Sequence, residues 1–291
     1  MKALPFKIPK TEQSSIHTQV DEEFHFYDTL HQHPEIQVTL IERSHGTLIH
    51  GDYLGSFAPG DVFVIGANAP HVFRNDKIYY TQPTDRAAKA LTFFFDENTL
   101  GKNFLELPEA RTLAIFIRNL ERGVKFTGPD LIPITAAIRE LFRADGMDRI
   151  IALLQVLKQL MQARNYELLS RHLPSKEVNA TEGKRLNDIF NFTIKEYTRP
   201  IQLEEVAALA NLSKTAFCRY FKQHTRKTYL DFLTEYRVSE ACKMLSDKST
   251  PIAQVAYNCG FNNLSNFNRR FKNVVGVSPR AYINQSAISK T

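Results

Sequence analysis

The sequence predicts an α+β protein with more than one domain: an N-terminal antiparallel β-barrel followed by helices, and a C-terminal all-α domain with two helix-turn-helix units. Three observations carry this prediction. Short alternating runs occupy residues 24–95, helical spacing of apolar residues begins near residue 108, and one helix-turn-helix pattern occurs twice, at 206–222 and 255–272. A chain of 291 residues is long enough for two domains with separate cores.

Residues 1–107 are assigned to the β-barrel because short apolar runs alternate there with turn residues. The runs are EIQVTLIE, GTLIHG, VFVIG, HVFRN and KALTFFF, and Gly, Pro and Asn separate them. Many short strands with frequent turn signals are typical of antiparallel sandwiches and barrels.

Residues 108–173 are predicted to form two or three helices. The longest has one broad apolar face, which consists of Ile150, Leu153, Leu154, Leu157, Leu160 and Met161. This face either packs on the barrel of its own chain or pairs with the same helix of a second copy. We expect the second arrangement, a homodimer.

Residues 174–183 read PSKEVNATEG and are predicted to be an interdomain linker, because they are polar, contain Pro and Gly, and lack an apolar period. The C-terminal domain then covers 184–291. Its predicted parts are a helix at 184–197, a first helix-turn-helix unit at about 203–224, a long helix at 229–246 and a second unit at about 252–274. Arg237, in the long helix, is expected in an internal salt bridge.

The two repeats hold the same residue types in the same frame. Phe217 and Phe221 match Phe267 and Phe271, and all four are predicted to face the core. Ser213 is predicted to cap the second helix of the first unit through its hydroxyl. The opposite faces of the two second helices are Thr215, Cys218, Arg219 and Lys222, and Ser265, Asn268, Arg269 and Lys272.

The charge of the chain is concentrated in this repeated region. From Thr181 onward there are 17 Lys and Arg against 9 Asp and Glu, whereas the residues upstream have 20 against 22. Arg is the usual bidentate partner of guanine and Asn of adenine, while Lys and Ser mostly contact phosphates. The pattern therefore predicts double-stranded DNA as a partner.

At this point the chain closely resembles the AraC/XylS family of transcription factors. The resemblance runs from about Leu203 to Tyr282, over LxxVAxxAxLS, FxRxFK, YLxxxRxxxACxxL, PIAQVAYNCGFNNLSNFNRRFK and GVSPRAY. One departure is that Arg226 stands where the family usually has Gly, three or four residues after the first FK. The resemblance also implies contact with RNA polymerase.

By this resemblance, two sets of DNA contacts are implied. The base contacts fall on Thr215, Cys218, Arg219, Ser265, Asn268 and Arg269. The phosphate contacts fall on Lys214, Lys222, Asn263 and Lys272.

Two segments of the N-terminal region resemble the sequence motifs of the cupin barrel: HQHPEIQ at 31–37 and PGDVFVIGANAPHVFRN at 59–75. Alternate residues of a strand share a face, so His31 and His33 are expected to point into one cavity, with His71 opposite. Together these residues form the expected binding site for a small molecule, with a saccharide as the first candidate. The set is His31, His33, Glu35, His71 and Asn75.

The same histidines admit two other interpretations. His31, His33 and His71 are candidate ligands of a divalent metal, or they are barrel histidines satisfied by their neighbours. The fourth position, where metal cupins have an acid, is near Gln37, and Glu35 is displaced from it. We therefore expect no metal, no cofactor and no enzymatic activity.

Composition excludes several other classes. Cys218, Cys242 and Cys259 have no CxxC spacing, which argues against a disulfide framework and a zinc site. The sequence shows no leader pattern and no run of about eighteen apolar residues, so we expect a soluble, cytoplasmic protein without a membrane partner.

The function predicted from these features is sequence-specific transcription regulation by a small molecule bound in the N-terminal barrel. Two alternatives stay open: a metal-dependent cupin enzyme or metal sensor fused to a DNA-binding domain, and a constitutive DNA-binding protein whose barrel only dimerises.

Overall fold

The computed structural model describes residues 15–81, 87–101, 103–170, 180–246 and 250–288. The chain divides into two compact units, Met1–Lys184 and Arg185–Thr291, here called the N-terminal and C-terminal units. An antiparallel β region thus precedes a helical one, which confirms the predicted fold class.

The strands of the N-terminal unit form two antiparallel sheets. A larger sheet has the order β1-β7-β2-β5-β8-β9, and a smaller one has the order β4-β3-β6. The strands are β1 His17–Glu23, β2 Ile36–Arg43, β3 Gly46–His50, β4 Tyr53–Phe57, β5 Val62–Ile65, β6 His71–Asn75, β7 Ala88–Phe95, β8 Val124–Phe126 and β9 Tyr166–Leu168.

The two faces of the larger sheet have different partners, because successive side chains of a strand point to opposite sides. Val38, Leu40 and Phe93 belong to an apolar core that also contains the helices of this unit. Between them in the same strands, Thr39 and Thr92 contact each other on the other face. These strands are therefore buried on both faces, but one face has polar side chains. Those polar side chains line the site described below.

Short helices connect and cover the sheets. They are α1 Ile78–Thr81, α2 Arg111–Asn119, α3 Leu131–Arg143 and α4 Gly146–Gln162, with 3-10 turns at Phe104–Glu106, Pro108–Ala110, Leu120–Arg122 and Gly128–Asp130. On α4, Leu153, Leu157 and Leu160 are buried in the core of their own unit. Much of the apolar face from which a dimer was expected is therefore buried in the core of its own chain.

The segment 108–173 is not purely helical, which corrects its assignment. It supplies β8, which pairs with β5, and β9, which pairs with β8, so the sheet extends beyond residue 107. Each of these strands has three residues, too few to show an alternating pattern in the sequence.

Helices are the only secondary-structure elements among the described residues of the C-terminal unit. Its helices are α5 Ala180–Glu196, α6 Leu203–Leu209, α7 Lys214–Thr225, α8 Tyr229–Ser246, α9 Ile252–Asn258, α10 Leu264–Val275 and α11 Pro279–Ile288. Because α5 begins at Ala180, the last four residues assigned to the linker are helical. The helix could not be predicted there because these four residues have no apolar repeat, and helical periodicity shows in a sequence only where apolar residues recur. The linker residues 174–179 lie outside the described residues.

Arg237 connects α8 to two other segments of this unit. Its guanidinium donates hydrogen bonds to the carbonyl oxygens of Tyr197 and Arg199, both at 2.7 Å, and lies 5.9 Å from the ring centre of Phe261. The expectation that Arg237 is internal is therefore right, but its partners are backbone carbonyls and not the carboxylate of a salt bridge.

No helix within the described part of the chain is both long enough and apolar enough to cross a membrane.

Candidate nucleic-acid interface and buried histidine cluster

The first helix-turn-helix unit consists of α6, a turn and α7. The Ser213 hydroxyl accepts a hydrogen bond from the Ala216 amide at 3.3 Å, which confirms the predicted cap. Phe217 and Phe221 are fully buried and pack against each other, with ring centres 5.8 Å apart. Burial of these two rings fixes which side of α7 faces outward.

The second unit, α9 and α10, repeats this construction. Phe267 and Phe271 are fully buried, with ring centres 5.5 Å apart. Here the cap is Asn263, whose side-chain oxygen accepts a hydrogen bond from the Asn266 amide at 3.0 Å. Asn263, predicted to contact phosphate, thus also has a local role in beginning the helix.

All ten residues predicted to contact DNA are exposed on α7, on α10 or at the cap of α10. Their positions follow a spacing of three and four residues, so within each helix they lie on one face. On α7 they are Lys214, Thr215, Cys218, Arg219 and Lys222. On α10 they are Asn263, Ser265, Asn268, Arg269 and Lys272.

Local contacts hold some of these side chains. Lys214 forms an ion pair with Glu204 at 2.7 Å, and this partner raises the pKa of Lys214. Arg269 donates a hydrogen bond to the Asn266 side-chain oxygen at 3.2 Å. Exposed pairs of this kind contribute little to stability, so both cations are available to exchange their partners for a nucleic acid.

The position of the family's usual glycine after α7 has a defined backbone geometry. Arg226 ends α7 in the left-handed region, with φ at 58°, and Gly276 ends α10 in the same way, with φ at 87°. The departure noted in the sequence is therefore a change of residue without a change of helix ending. Exposed Arg226 adds a further cation at the end of α7.

In the N-terminal unit, three histidines predicted to lie together do so. The backbones of His31 and His71 exchange two hydrogen bonds, at 3.1 and 2.9 Å, in an isolated bridge beside β6. One ring nitrogen of each of His31, His33 and His71 lies within 4.8 Å of the others, and all three side chains are buried.

The Nδ1 atoms of the cluster all contact backbone carbonyl oxygens. His31 Nδ1 is 2.8 Å from the Thr29 oxygen, and His71 Nδ1 is 2.8 Å from the Ala69 oxygen. His33 Nδ1 is 2.9 Å from the oxygen of Glu35. The Nε2 atoms of His33 and His71 both lie 3.0 Å from Oε1 of Gln37.

A row of polar side chains leads away from this cluster across the larger sheet. The Gln37 amide nitrogen donates to Thr39 Oγ1 at 2.8 Å, Thr39 and Thr92 hydroxyls lie 3.2 Å apart, and the Thr92 hydroxyl donates to Asp21 at 3.4 Å. Burial raises the pKa of the Asp21 carboxyl. These residues and His31 line a cavity of about 60 Å³, whose aromatic walls include Tyr27, Phe73 and Phe94.

Two residues of the predicted binding set lie apart from the ring cluster. Glu35 contacts the cluster from outside, with its carboxylate 3.8 Å from His33 Nδ1. The Asn75 side chain accepts a hydrogen bond from the Phe26 amide at 2.7 Å and donates one to Ser44, so it joins chain segments.

Sequence reasoning missed the residues that complete the site. Thr39, Thr92 and Asp21 carry no motif of their own, and only strand pairing brings them together. Gln37 was noted only as the residue in place of an acid. His50 was also missed; it is 1% exposed, faces His71 across β3 and β6, and neither of its ring nitrogens has a hydrogen-bond partner within the described residues.

Buried histidines give the N-terminal unit a specific acid sensitivity. Burial lowers the pKa of His50 from 6.5 to about 4, because the charged ring loses its hydration, and Asp52 opposes this effect. Between these values the unfolded chain binds a proton that the folded chain does not. The free energy of unfolding therefore falls as the pH drops from about 6.5 towards 4, by up to about 1.4 kcal/mol per pH unit.

We expect His50→Leu to remove this contribution and make the acid loss of stability shallower by about one proton. Urea unfolding followed by circular dichroism at pH 7, 6, 5 and 4.5 measures it. His45→Leu, at an exposed position, is the control and should keep the wild-type slope. If the free energy of unfolding falls equally steeply with decreasing pH in both variants, the expectation is wrong.

Comparison with known proteins places the C-terminal unit in a family. A family model described as a helix-turn-helix domain matches residues 206–285, which include both repeats. The HTH-type transcriptional activator RhaR of Pectobacterium atrosepticum is 24% identical over 87% of this chain and 85% of its own length. The C-terminal unit has the helix-turn-helix arrangement of AraC-type regulators. Its AraC-type repeats are the segments that the sequence motifs indicated.

Other relatives match a shorter part of the chain. The uncharacterized HTH-type transcriptional regulator YdeC of Bacillus subtilis is 31% identical over 101 residues, 35% of each chain. The chain spans 35% and 46% of the length of the first two curated relatives that it matches. A solved AraC-type regulator from Chromobacterium violaceum is 24% identical over 38% of this chain and 97% of its own, with a TM-score of 0.35.

Proposed function

We propose that this chain is a transcription regulator that binds double-stranded DNA through the outward faces of α7 and α10. The observation that carries the proposal is the repetition of one arrangement: two buried Phe side chains on one side of each helix, and an Arg and a Lys in register on the other. Arg219 and Arg269 are assigned to base edges, and Lys222 and Lys272 to phosphates.

The length of α8 supports the joint use of both helices. It has 18 residues, or about 27 Å at roughly 1.5 Å per residue. With the turns at its ends, this length suits two recognition helices about one DNA turn, roughly 34 Å, apart. One chain would then enter two successive major grooves.

The N-terminal unit is proposed to bind the effector beside the histidine cluster, with Gln37, Thr39 and Asp21 added to the expected set. That the effector is a saccharide stays a prediction, and the volume of the cavity restricts the size of the effector. About 60 Å³ is well below the roughly 300–1,000 Å³ usual for small-molecule sites, so a saccharide would require its lining to move apart. No catalytic step forms part of this proposal.

A homodimer remains part of the proposal, but through a surface other than the one expected. Exposed apolar side chains on α4, Met147 at 69% and Ile151 at 48%, follow helical spacing on the side away from the core. Dimerisation would double the contacts with DNA through effective concentration. Contact with RNA polymerase and a cytoplasmic location also belong to the proposal.

Arg219→Ala and Arg269→Ala test DNA reading directly. Each is expected to reduce discrimination between a DNA site selected from a random pool and its scrambled version by about 5- to 150-fold, the equivalent of about 1–3 kcal/mol for a bidentate contact. Electrophoretic mobility shifts at fixed salt measure both affinities.

Arg118→Ala, at an exposed position of α2, is the control because it makes the same charge change in the other unit. Lys222→Ala should weaken binding to both DNAs alike and reduce the salt dependence by about one phosphate contact. Unchanged discrimination in both arginine variants would refute the assignment of α7 and α10 as the reading helices.

A further inference from the structure

We propose that Arg226, at the end of α7, is an additional DNA phosphate contact of the first helix-turn-helix unit. Its side chain is exposed, and none of the described residues forms an ion pair or a hydrogen bond with its guanidinium. This contact requires α7 to enter a major groove of DNA and therefore rests on the proposed function. The second unit has no side chain at the matching position, so the two units hold the DNA backbone unequally.

The backbone at Arg226 has a conformation that disfavours arginine. Its φ is 58°, and the other non-glycine residue of this unit with positive φ, within the part of the chain that the structure describes, is Asn211 at 53°. Asparagine tolerates this region better than arginine does. Gly276 ends α10 in the same way, with φ at 87°. Glycine would fit the end of α7 without strain, so the strained arginine indicates a role for its side chain.

The turn that carries Arg226 is held from both sides. The hydroxyl of buried Thr225 lies within hydrogen-bond distance of two carbonyl oxygens, that of Phe221 at 2.8 Å and that of Lys227 at 3.2 Å. The Lys227 ammonium forms an ion pair with Glu235. The neighbours of Arg226 are thus engaged within the unit, whereas its guanidinium is free to bind another molecule. A fixed backbone also reduces the conformational entropy that such binding costs.

Arg226 continues the face of α7 that is assigned to DNA. Thr215, Lys222 and Arg226 are separated by seven and four residues, so at 3.6 residues per turn they lie within about 40° of one another around the axis. Arg226 is also seven residues beyond Arg219, or about 10.5 Å along the helix at roughly 1.5 Å per residue.

This distance is close to the width of the major groove, about 12 Å. The first part of a recognition helix contacts base edges. The end of α7 then reaches the sugar–phosphate backbone at the rim of the groove, where the planar guanidinium of Arg226 can donate two hydrogen bonds to one phosphate.

The second repeat supplies a matched position without a side chain. Gly276 stands four residues after Lys272, as Arg226 stands four residues after Lys222. A methyl group added to Gly276 meets no atom within 4 Å among the described residues, so the position has room for a side chain. Gly276→Arg therefore places the same cation on the second unit.

The test measures binding of the full-length protein to a DNA site selected from a random pool and to its scrambled version, by fluorescence anisotropy at several salt concentrations. We expect Arg226→Gly to weaken binding to both DNAs by about 3- to 10-fold at about 0.1 M salt. The slope of log affinity against log salt should fall by about 0.9 per chain, as the loss of one phosphate contact requires. Arg226→Lys keeps the cation and should remain within about threefold of wild type.

The reciprocal variant and a control complete the experiment. Gly276→Arg should strengthen binding to both DNAs and steepen the salt slope by about 0.9 per chain. Arg118→Ala removes an exposed cation from the N-terminal unit and should change neither quantity. Wild-type affinity and salt slope in Arg226→Gly would overturn the proposal. A loss confined to the selected site would also overturn it, because that is the behaviour of a base contact.

A melting curve separates DNA binding from folding. Arg226→Gly should melt at the wild-type temperature or up to about 8 °C higher, because glycine relieves the strained backbone. If it melts lower and also binds more weakly, the arginine serves the fold and the proposal is wrong.

Failure of this inference is distinguishable from failure of the proposed function. If Arg219→Ala loses discrimination and Arg226→Gly binds as wild type does, α7 reads DNA and only the assignment of Arg226 is wrong. If neither substitution changes binding, α7 does not contact DNA and both are wrong.

Discussion

Gly260→Ala is expected to lower the free energy of unfolding of the C-terminal unit by about 2–5 kcal/mol. Gly260 lies in the turn between α9 and α10 with φ at 79°, a conformation that costs other residues about 1–2 kcal/mol. A methyl group there would also overlap the carbonyl oxygen of Tyr197 and lie 3.0 Å from the Arg237 guanidinium. Overpacking against backbone adds about 1–3 kcal/mol.

Gly276→Ala separates the two effects. Gly276 also has positive φ, at 87°, but an added methyl group there meets no atom within 4 Å among the described residues. It should cost only the conformational penalty, about 1–2 kcal/mol. Urea denaturation of full-length protein, followed by circular dichroism at 222 nm, compares them. Equal losses would show that the turn does not pack tightly on Tyr197.

Arg237→Met is expected to destabilise the same unit by about 3 kcal/mol. The substitution keeps an unbranched side chain but removes two charge-assisted hydrogen bonds to the Tyr197 and Arg199 carbonyls. Such bonds contribute about 1.5–3 kcal/mol each, and part of the loss is recovered where water reaches the half-buried site. The ring of Phe261, in the turn of the second unit, also loses its cationic neighbour.

Because Arg237 joins α8 to the segment before α6 and to the turn after α9, its loss should weaken binding to specific and scrambled DNA alike. Arg199→Met is the control, since its ion pairs with Glu196 and Glu205 are partly exposed to solvent, which weakens them. Urea denaturation and mobility shifts measure both effects. A selective loss of operator binding, with stability unchanged, would instead place Arg237 at the DNA.

The helix-turn-helix repeats could be located from the sequence because their information is local. The burial of Phe217 and Phe267 and the exposure of Arg219 and Arg269 follow from positions within one helix, where a period of 3.6 residues decides which side faces the core. The bounds of α8 follow for the same reason, and those of α7 and α10 to within one residue.

The N-terminal site could be predicted from the sequence only in part. The sequence determined by itself that His31, His33 and His71 belong to one region and that Arg and Lys recur in frame. Only the tertiary structure decided that Gln37 contacts two of the rings, that Thr39 meets Thr92, and that Gly260 lies against Tyr197. These contacts mostly join residues distant in the chain, so they depend on strand register and helix packing. Neither of these can be predicted from the periodicity of a short segment.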